Sequence, residues 1–161
     1  MAIALALVVL TFGSGVMRAS AQSSTATPTK PEPCPAATPV SGQTTPALCV
    51  VIGEYDMYFN PNLITIPADT PVRIVLINHG SAEHNFQISD HENSGLKNLN
   101  VNVTTDPGKT GEVTINAPAG TYYFFCDQPG HEAAGMRGYL TVTKDAKIGT
   151  AYEKSVPERA S

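Results

Sequence analysis

Three side chains able to bind a soft metal fall in one run near the C-terminal end: Tyr122-Tyr123-Phe124-Phe125-Cys126-Asp127-Gln128-Pro129-Gly130-His131-Glu132-Ala133-Ala134-Gly135-Met136. A thiolate, an imidazole and a thioether are spaced Cys-x4-His-x4-Met. Two imidazoles and one thiolate, with a weak, distant thioether, make a copper site suited to electron transfer. The thiolate and thioether favour Cu(I), and imidazole serves either oxidation state. The run lacks a second imidazole, and His84 in His84-Asn85-Phe86-Gln87-Ile88 offers one.

These residues need elements to hold them. Pro129-Gly130 reverses the chain between Cys126 and His131, so that both side chains can converge on one point. Gly135 and Gly138, either side of Met136, let the returning backbone pass close by. From Leu48 onward, short apolar segments alternate with turn residues, the texture of an all-β sandwich. The expected strands are Leu48–Gly53, Leu63–Ile66, Val72–Asn78, His84–Ile88, Gly111–Ile115, Gly120–Cys126 and Gly138–Thr143. Turns are expected at Asn60-Pro61-Asn62, Pro67-Ala68-Asp69, His79-Gly80-Ser81, Asp106-Pro107-Gly108 and Pro118-Ala119-Gly120. Val72–Asn78 is apolar on both faces apart from Arg73, as in a central strand covered on both sides. Helix is expected to be minor, because no segment after residue 21 shows an apolar period of 3.6. Met57, Tyr58 and Phe59 are expected in the core, and His79 and His91 at the surface.

Residues 2–12 are apolar, and Ala19-Ser20-Ala21 is a small-residue cleavage pattern. This reads as a secretory leader cut after Ala21, with a retained N-terminal anchor as the alternative. The domain plan is then a leader at 1–21, a Pro/Ser/Thr-rich spacer at 22–46, one β domain at 47–145 and a polar, fraying tail at 146–161. The whole chain has 10 basic and 14 acidic residues, net −4, and losing Arg18 with the leader makes it −5. No basic patch supports nucleic-acid binding, and a mildly acidic surface suits a basic or dipolar protein partner. Of the three cysteines, Cys34 and Cys49 flank a Pro/Thr-rich segment. An oxidising compartment allows them to pair, closing a loop worth about 3 kcal/mol on the chain-entropy model. The alternatives are that Cys34 is a tail cysteine or pairs with another chain. The internal bridge leaves Cys126 as the free thiol, which a bound metal would protect.

On these residues the chain resembles the cupredoxins, the small blue-copper family. The resemblance spans roughly residues 50–144, and the Cys-x4-His-x4-Met spacing is similar to rusticyanin-like and auracyanin-like members. Phytocyanins share the spacing but carry a cysteine where Glu132 stands. The resemblance implies a Greek-key β-sandwich holding one type 1 copper ion through His84, Cys126, His131 and the axial Met136. It also implies that Asn85 ties the two ligand loops together by bonding the residue after the cysteine. That residue is Asp127 here, in place of the usual Ser or Thr, so a different link is expected. The Glu83 carbonyl stands where some members place a fifth, distant contact, and the His131 edge is where electrons would leave.

Singly, Cys126 would be a core residue and His84 a satisfied loop histidine; their joint occurrence on this texture favours copper. The function expected is a periplasmic or secreted one-electron carrier, monomeric, working between redox proteins, with peripheral membrane association left open. A copper-delivery protein without electron shuttling is the alternative. Multicopper catalysis is disfavoured because the four histidines include no His-x-His pair. A red-copper site using Glu132 is disfavoured by Met136 at the expected spacing.

Overall fold

The computed structural model describes residues 27–28, 33–36, 46–89 and 99–157. The leader at 1–21, most of the 22–46 spacer and His91 lie outside them. The strands are β1 (Thr27–Pro28), β2 (Leu48–Tyr55), β3 (Tyr58–Asn60), β4 (Leu63–Pro67), β5 (Val72–Asn78), β6 (His84–Ile88), β7 (Val101–Thr105), β8 (Thr110–Ile115), β9 (Gly120–Phe125), β10 (Arg137–Thr143) and β11 (Gly149–Tyr152), with no helix among the described residues. They form a seven-stranded sheet ordered β1-β11-β4-β10-β9-β6-β7 and a four-stranded sheet ordered β3-β2-β5-β8. The fold is an all-β sandwich. Two pairings are parallel, β2 with β5 and β4 with β10.

Side chains on a strand alternate between faces, so every second residue points into the space between the sheets. Val50 and Ile52 of β2, Ile74 and Leu76 of β5, and Phe86 and Ile88 of β6 all join one buried cluster. At its centre Phe59, Phe86 and Phe124 meet as a ring trio, with centroids 4.9 to 6.0 Å apart. Tilted and edge-on ring contacts of this kind add about 0.5–1.5 kcal/mol each beyond the area they bury.

β5 is the central strand expected, and at Arg73 its outer face is covered by a disulfide-linked segment. Cys34 and Cys49 are disulfide-bonded. The Arg73 guanidinium, buried beneath that bridge, donates to the Pro35 carbonyl and makes a 3.4 Å ion pair with Glu112.

Three expectations need correction. Phe59 is in the core, but Met57 and Tyr58 are 36% and 37% exposed. The Asp56-Met57 turn joins Tyr55 to Tyr58 directly, so alternation turns Phe59 inward and Tyr58 outward. The segment after 145 does not simply fray, since β11 pairs with β4 and Val156 is buried. Polar composition hid this, because β11 takes its order from edge hydrogen bonds rather than from an apolar face. β3, β7 and β11 were not anticipated, being short or half-exposed.

Gly138 on β10 is packed so tightly that a Cβ would collide with the Phe124 ring and the Asn62 carbonyl oxygen. That oxygen accepts the Tyr139 N–H at 2.9 Å, so it cannot move aside. Gly138→Ala is expected to cost about 3 kcal/mol, read as a lower urea midpoint with unchanged slope; a midpoint equal to the native protein's would refute this packing.

Candidate metal centre

Alternation on β9 puts Tyr122, Phe124 and, one step past the strand, Cys126 on the core-facing side. The same rule on β6 puts His84 in line with Phe86 and Ile88. The two strands are neighbours, with Gln87 opposite Phe125, so a thiol and an imidazole from distant parts of the chain meet at one end of the sandwich. His131 comes from the β9–β10 connection. His131 N–H bonds the Gln128 carbonyl, Ala134 N–H that of Gly130 and Gly135 N–H that of Glu132. Gly130 and Gly135 take positive φ angles of 83° and 115°, which glycine adopts readily. The connection is then closed onto the sheet: Met136 donates to the His131 carbonyl and accepts from the Cys126 N–H, both at 3.0 Å.

Ligand atoms of His84, Cys126 and His131 all lie within 4.8 Å of one another. Nδ1 of His84 is 3.3 Å from Nδ1 of His131, which in turn is 3.4 Å from the Cys126 sulfur. Cys126, His84 and Met136 are fully buried, and His131 is partly exposed. One thiol and two imidazoles with their Nδ1 atoms turned inward fit a soft or borderline cation.

Electrostatics prepare the donors. Burial pushes the Cys126 thiol up, opposed by the backbone N–H groups of Gln128 and Asn85 aimed at the sulfur. A metal ion binding the thiolate must therefore displace a proton. Burial also pulls the His84 imidazole below its ordinary value, helped by His131 and opposed by Asp56, which keeps it neutral and able to ligate. On its far side, His84 Nε2 lies 3.3 Å from Asp56 Oδ1.

His84, Cys126 and His131 are brought together as expected, with Met136 tied to two of them through its backbone. Asn85 departs from the family link: its amide donates to Asn102 Oδ1 and Thr104 Oγ1 on β7, while Asp127 is exposed. Glu83 accepts from Gln128 at 2.6 Å, which joins the two ligand loops by another route. Glu132 accepts from the Tyr123 hydroxyl at 2.9 Å and is not part of the cluster. His79 is exposed and stacks on Tyr55. Glu54, Asp56, Gly80 and Thr105 were not anticipated. Glu54 was within reach, because it continues the inward phase of Val50 and Ile52; the contact of Asp56 with His84 carries no signal in the spacing.

The family model for the cupredoxin-like domain matches residues 5–142. Auracyanin-B of Chloroflexus aurantiacus is 29% identical over 150 residues, covering 77% of this chain and 64% of that protein. The chain thus spans just under two thirds of that relative's length. The copper-resistant cuproprotein CopI of Pseudomonas aeruginosa is 31% identical over 144 residues, covering 63% of this chain and 78% of that protein. Among solved structures, auracyanin B superposes with a TM-score of 0.53 at 24% identity, over 75% of this chain and 99% of that one. The dithionite-reduced auracyanin of Roseiflexus castenholzii gives 0.52 at 22%, over 61% and 98%. These two structural likenesses speak to the fold.

Glu54 supplies a pH signature that needs no metal. It is fully buried, Thr105 Oγ1 donates to its Oε2, and its Oε1 has no partner. Burial raises its carboxyl from an ordinary 4.5 to about 7. Across that window the folded chain keeps a proton that the unfolded chain has released, so stability falls as pH rises. At about 1.4 kcal/mol per pH unit, the loss comes to about 3 kcal/mol. Urea unfolding of the metal-free chain at pH 4.5 and 7.5 is expected to show this loss relative to Glu54→Gln; parallel pH dependence in the two proteins would contradict it.

Proposed function

This chain belongs to the cupredoxin family, and on that premise we propose that it carries single electrons between protein redox partners in an exported compartment. Members of the family bind one copper ion, and so does this chain. When bound, copper supplies the Cu(I)/Cu(II) couple. The ligands we assign are Nδ1 of His84, Sγ of Cys126 and Nδ1 of His131, with the Met136 thioether as a weak fourth. The observation that carries this assignment is the convergence of one buried thiol and two inward-facing Nδ1 atoms within 4.8 Å.

The surroundings of these donors suit electron transfer better than catalysis. Phe86 and Phe124, each two residues from a ligand, exclude water and favour the less charged state. The N–H groups of Asn85 and Gln128 lower the electron density on the sulfur, in the same direction. His84, Cys126 and Met136 are buried, so the donors are shielded from solvent except at His131. Among the described residues, no second group of three His, Cys, Asp or Glu side chains is placed to hold another metal ion. His131 alone among the donors reaches the surface, beside exposed Pro129, Gly130, Ala133 and Ala134, and is the port we assign to electrons. The apolar residues 2–12 and the Cys34–Cys49 disulfide support export.

The similarity to CopI supports a second reading, copper handling without electron shuttling. Repeated reduction and reoxidation separates the two: a carrier keeps its copper, whereas a delivery protein gives Cu(I) to a chelator on the first reduction. Titrating the chain with Cu(II) is expected to produce an intense visible thiolate-to-copper band that Cys126→Ser abolishes. Met136→Leu is expected to keep the band and raise the reduction potential, because the axial group tunes it. A native protein that binds Cu(II) without colour would end the electron-carrier reading.

A further inference from the structure

The β2–β3 hairpin belongs to the four-stranded sheet, yet its tip reaches the metal centre from behind. Asp56, at the turn, carries a side chain 44% exposed, while the imidazole it meets is completely buried. Its carboxylate is held from the other side by the Gly80-Ser81-Ala82 turn. Ser81 N–H donates to Oδ1 and Oδ2 at 3.0 and 3.1 Å, Ser81 Oγ to Oδ2 at 2.7 Å and Ala82 N–H to Oδ1 at 3.3 Å. These bonds fix the direction of Oδ1, which lies 3.3 Å from His84 Nε2. The contact also has a steric requirement. A Cβ on Gly80 would collide with Asp56 Oδ1 and lie 2.6 Å from His84 Nε2, so only glycine leaves room for the pair.

We propose that Asp56 is the positioning residue of the metal centre, accepting the Nε2 proton of His84 so that Nδ1 keeps its lone pair for the metal. This rests on the ligand assignment above and adds to it a surface residue from the opposite sheet. Neutral imidazole carries one proton, on either nitrogen, and the partner of one nitrogen decides which. His84 Nδ1 faces His131 Nδ1 across the cluster, and the carboxylate at Nε2 settles the choice in favour of the ligand tautomer. The negative charge beyond the imidazole makes it a better donor, and Cu(II) benefits more than Cu(I) because it carries more charge.

The test uses Asp56→Ala, which removes the acceptor, and Asp56→Asn, which keeps an acceptor oxygen without the charge. In the metal-free chain, nitrogen NMR of the imidazoles is expected to show His84 as the Nε2–H tautomer in the native protein and a mixture in Asp56→Ala. Asp56→Ala is expected to lose 10- to 100-fold in Cu(II) affinity and less in Cu(I) affinity, so its potential rises; Asp56→Asn should fall between. A lower melting temperature with the tautomer and the Cu(II)/Cu(I) affinity ratio both native would overturn the proposal, since Asp56 would then only brace the turn. Should Asp56→Ala fail to fold, Asp56→Asn decides, and a native Cu(II)/Cu(I) ratio in it overturns the role given to the charge. Failure of the ligand assignment is distinguishable, because the native protein would then lack the thiolate band while the tautomer measurement still reports on Asp56.

Discussion

A buried sulfur is the constraint around which this molecule is arranged. Cys126 sits at the end of a core strand with no exposure to solvent, where a thiolate is costly to form. Two backbone N–H groups point at it and two imidazole rings stand near it. The N–H groups carry only partial positive charge, too little to make the thiolate stable on its own. The site is therefore a set of donors complementary to a cation, and the apolar wall of Phe86 and Phe124 makes that complementarity strong by keeping water away. A fully hydrated version of the same four residues would bind metal with far less discrimination between its oxidation states.

Both sheets contribute to the centre. His84, Cys126, His131 and Met136 come from the seven-stranded sheet and its β9–β10 connection, while Glu54 and Asp56 come from the four-stranded one. Thr105 on β7 joins them: its hydroxyl donates to Glu54 and lies 3.5 Å from the His84 carbonyl. These polar links between the layers lie at the metal end, and largely aliphatic packing fills the rest. Geometry at the ligands consequently depends on the distance between the sheets as well as on the loop that carries three of the donors.

Much of this was legible from residue types. The sandwich and the central strand with both faces covered follow from spacing and alternation, which are local. The meeting of His84, Cys126 and His131 was expected from their types, their spacing and the family resemblance. The misses share a physical cause. Tyr58 and Phe59 are neighbours of similar character, and only the two-residue turn before them decides which one faces inward. β11 has little apolar periodicity because it is ordered by pairing with β4. The partners of Asn85 are Thr104, opposite it in the β6–β7 register, and Asn102, two residues along β7, rather than the residue after Cys126. Asp56 reaches His84 because the two sheets stack, and no pattern along one strand encodes that.

The parallel pairing of β4 with β10 bears on how the molecule comes into being. Leu63 lies opposite Tyr139, so the larger sheet cannot close until almost the whole domain has been made. Contacts of such long range require loop closure before they return any stabilisation, which slows assembly. The stretch that completes the sheet is also the one that delivers His131 and Met136 to Cys126. Until β10 docks, the third cysteine is an open thiol in a chain that must also join Cys34 to Cys49. Sheet closure and thiol protection are thus a single event, and a nascent chain that stalls before it is exposed to mispaired disulfides.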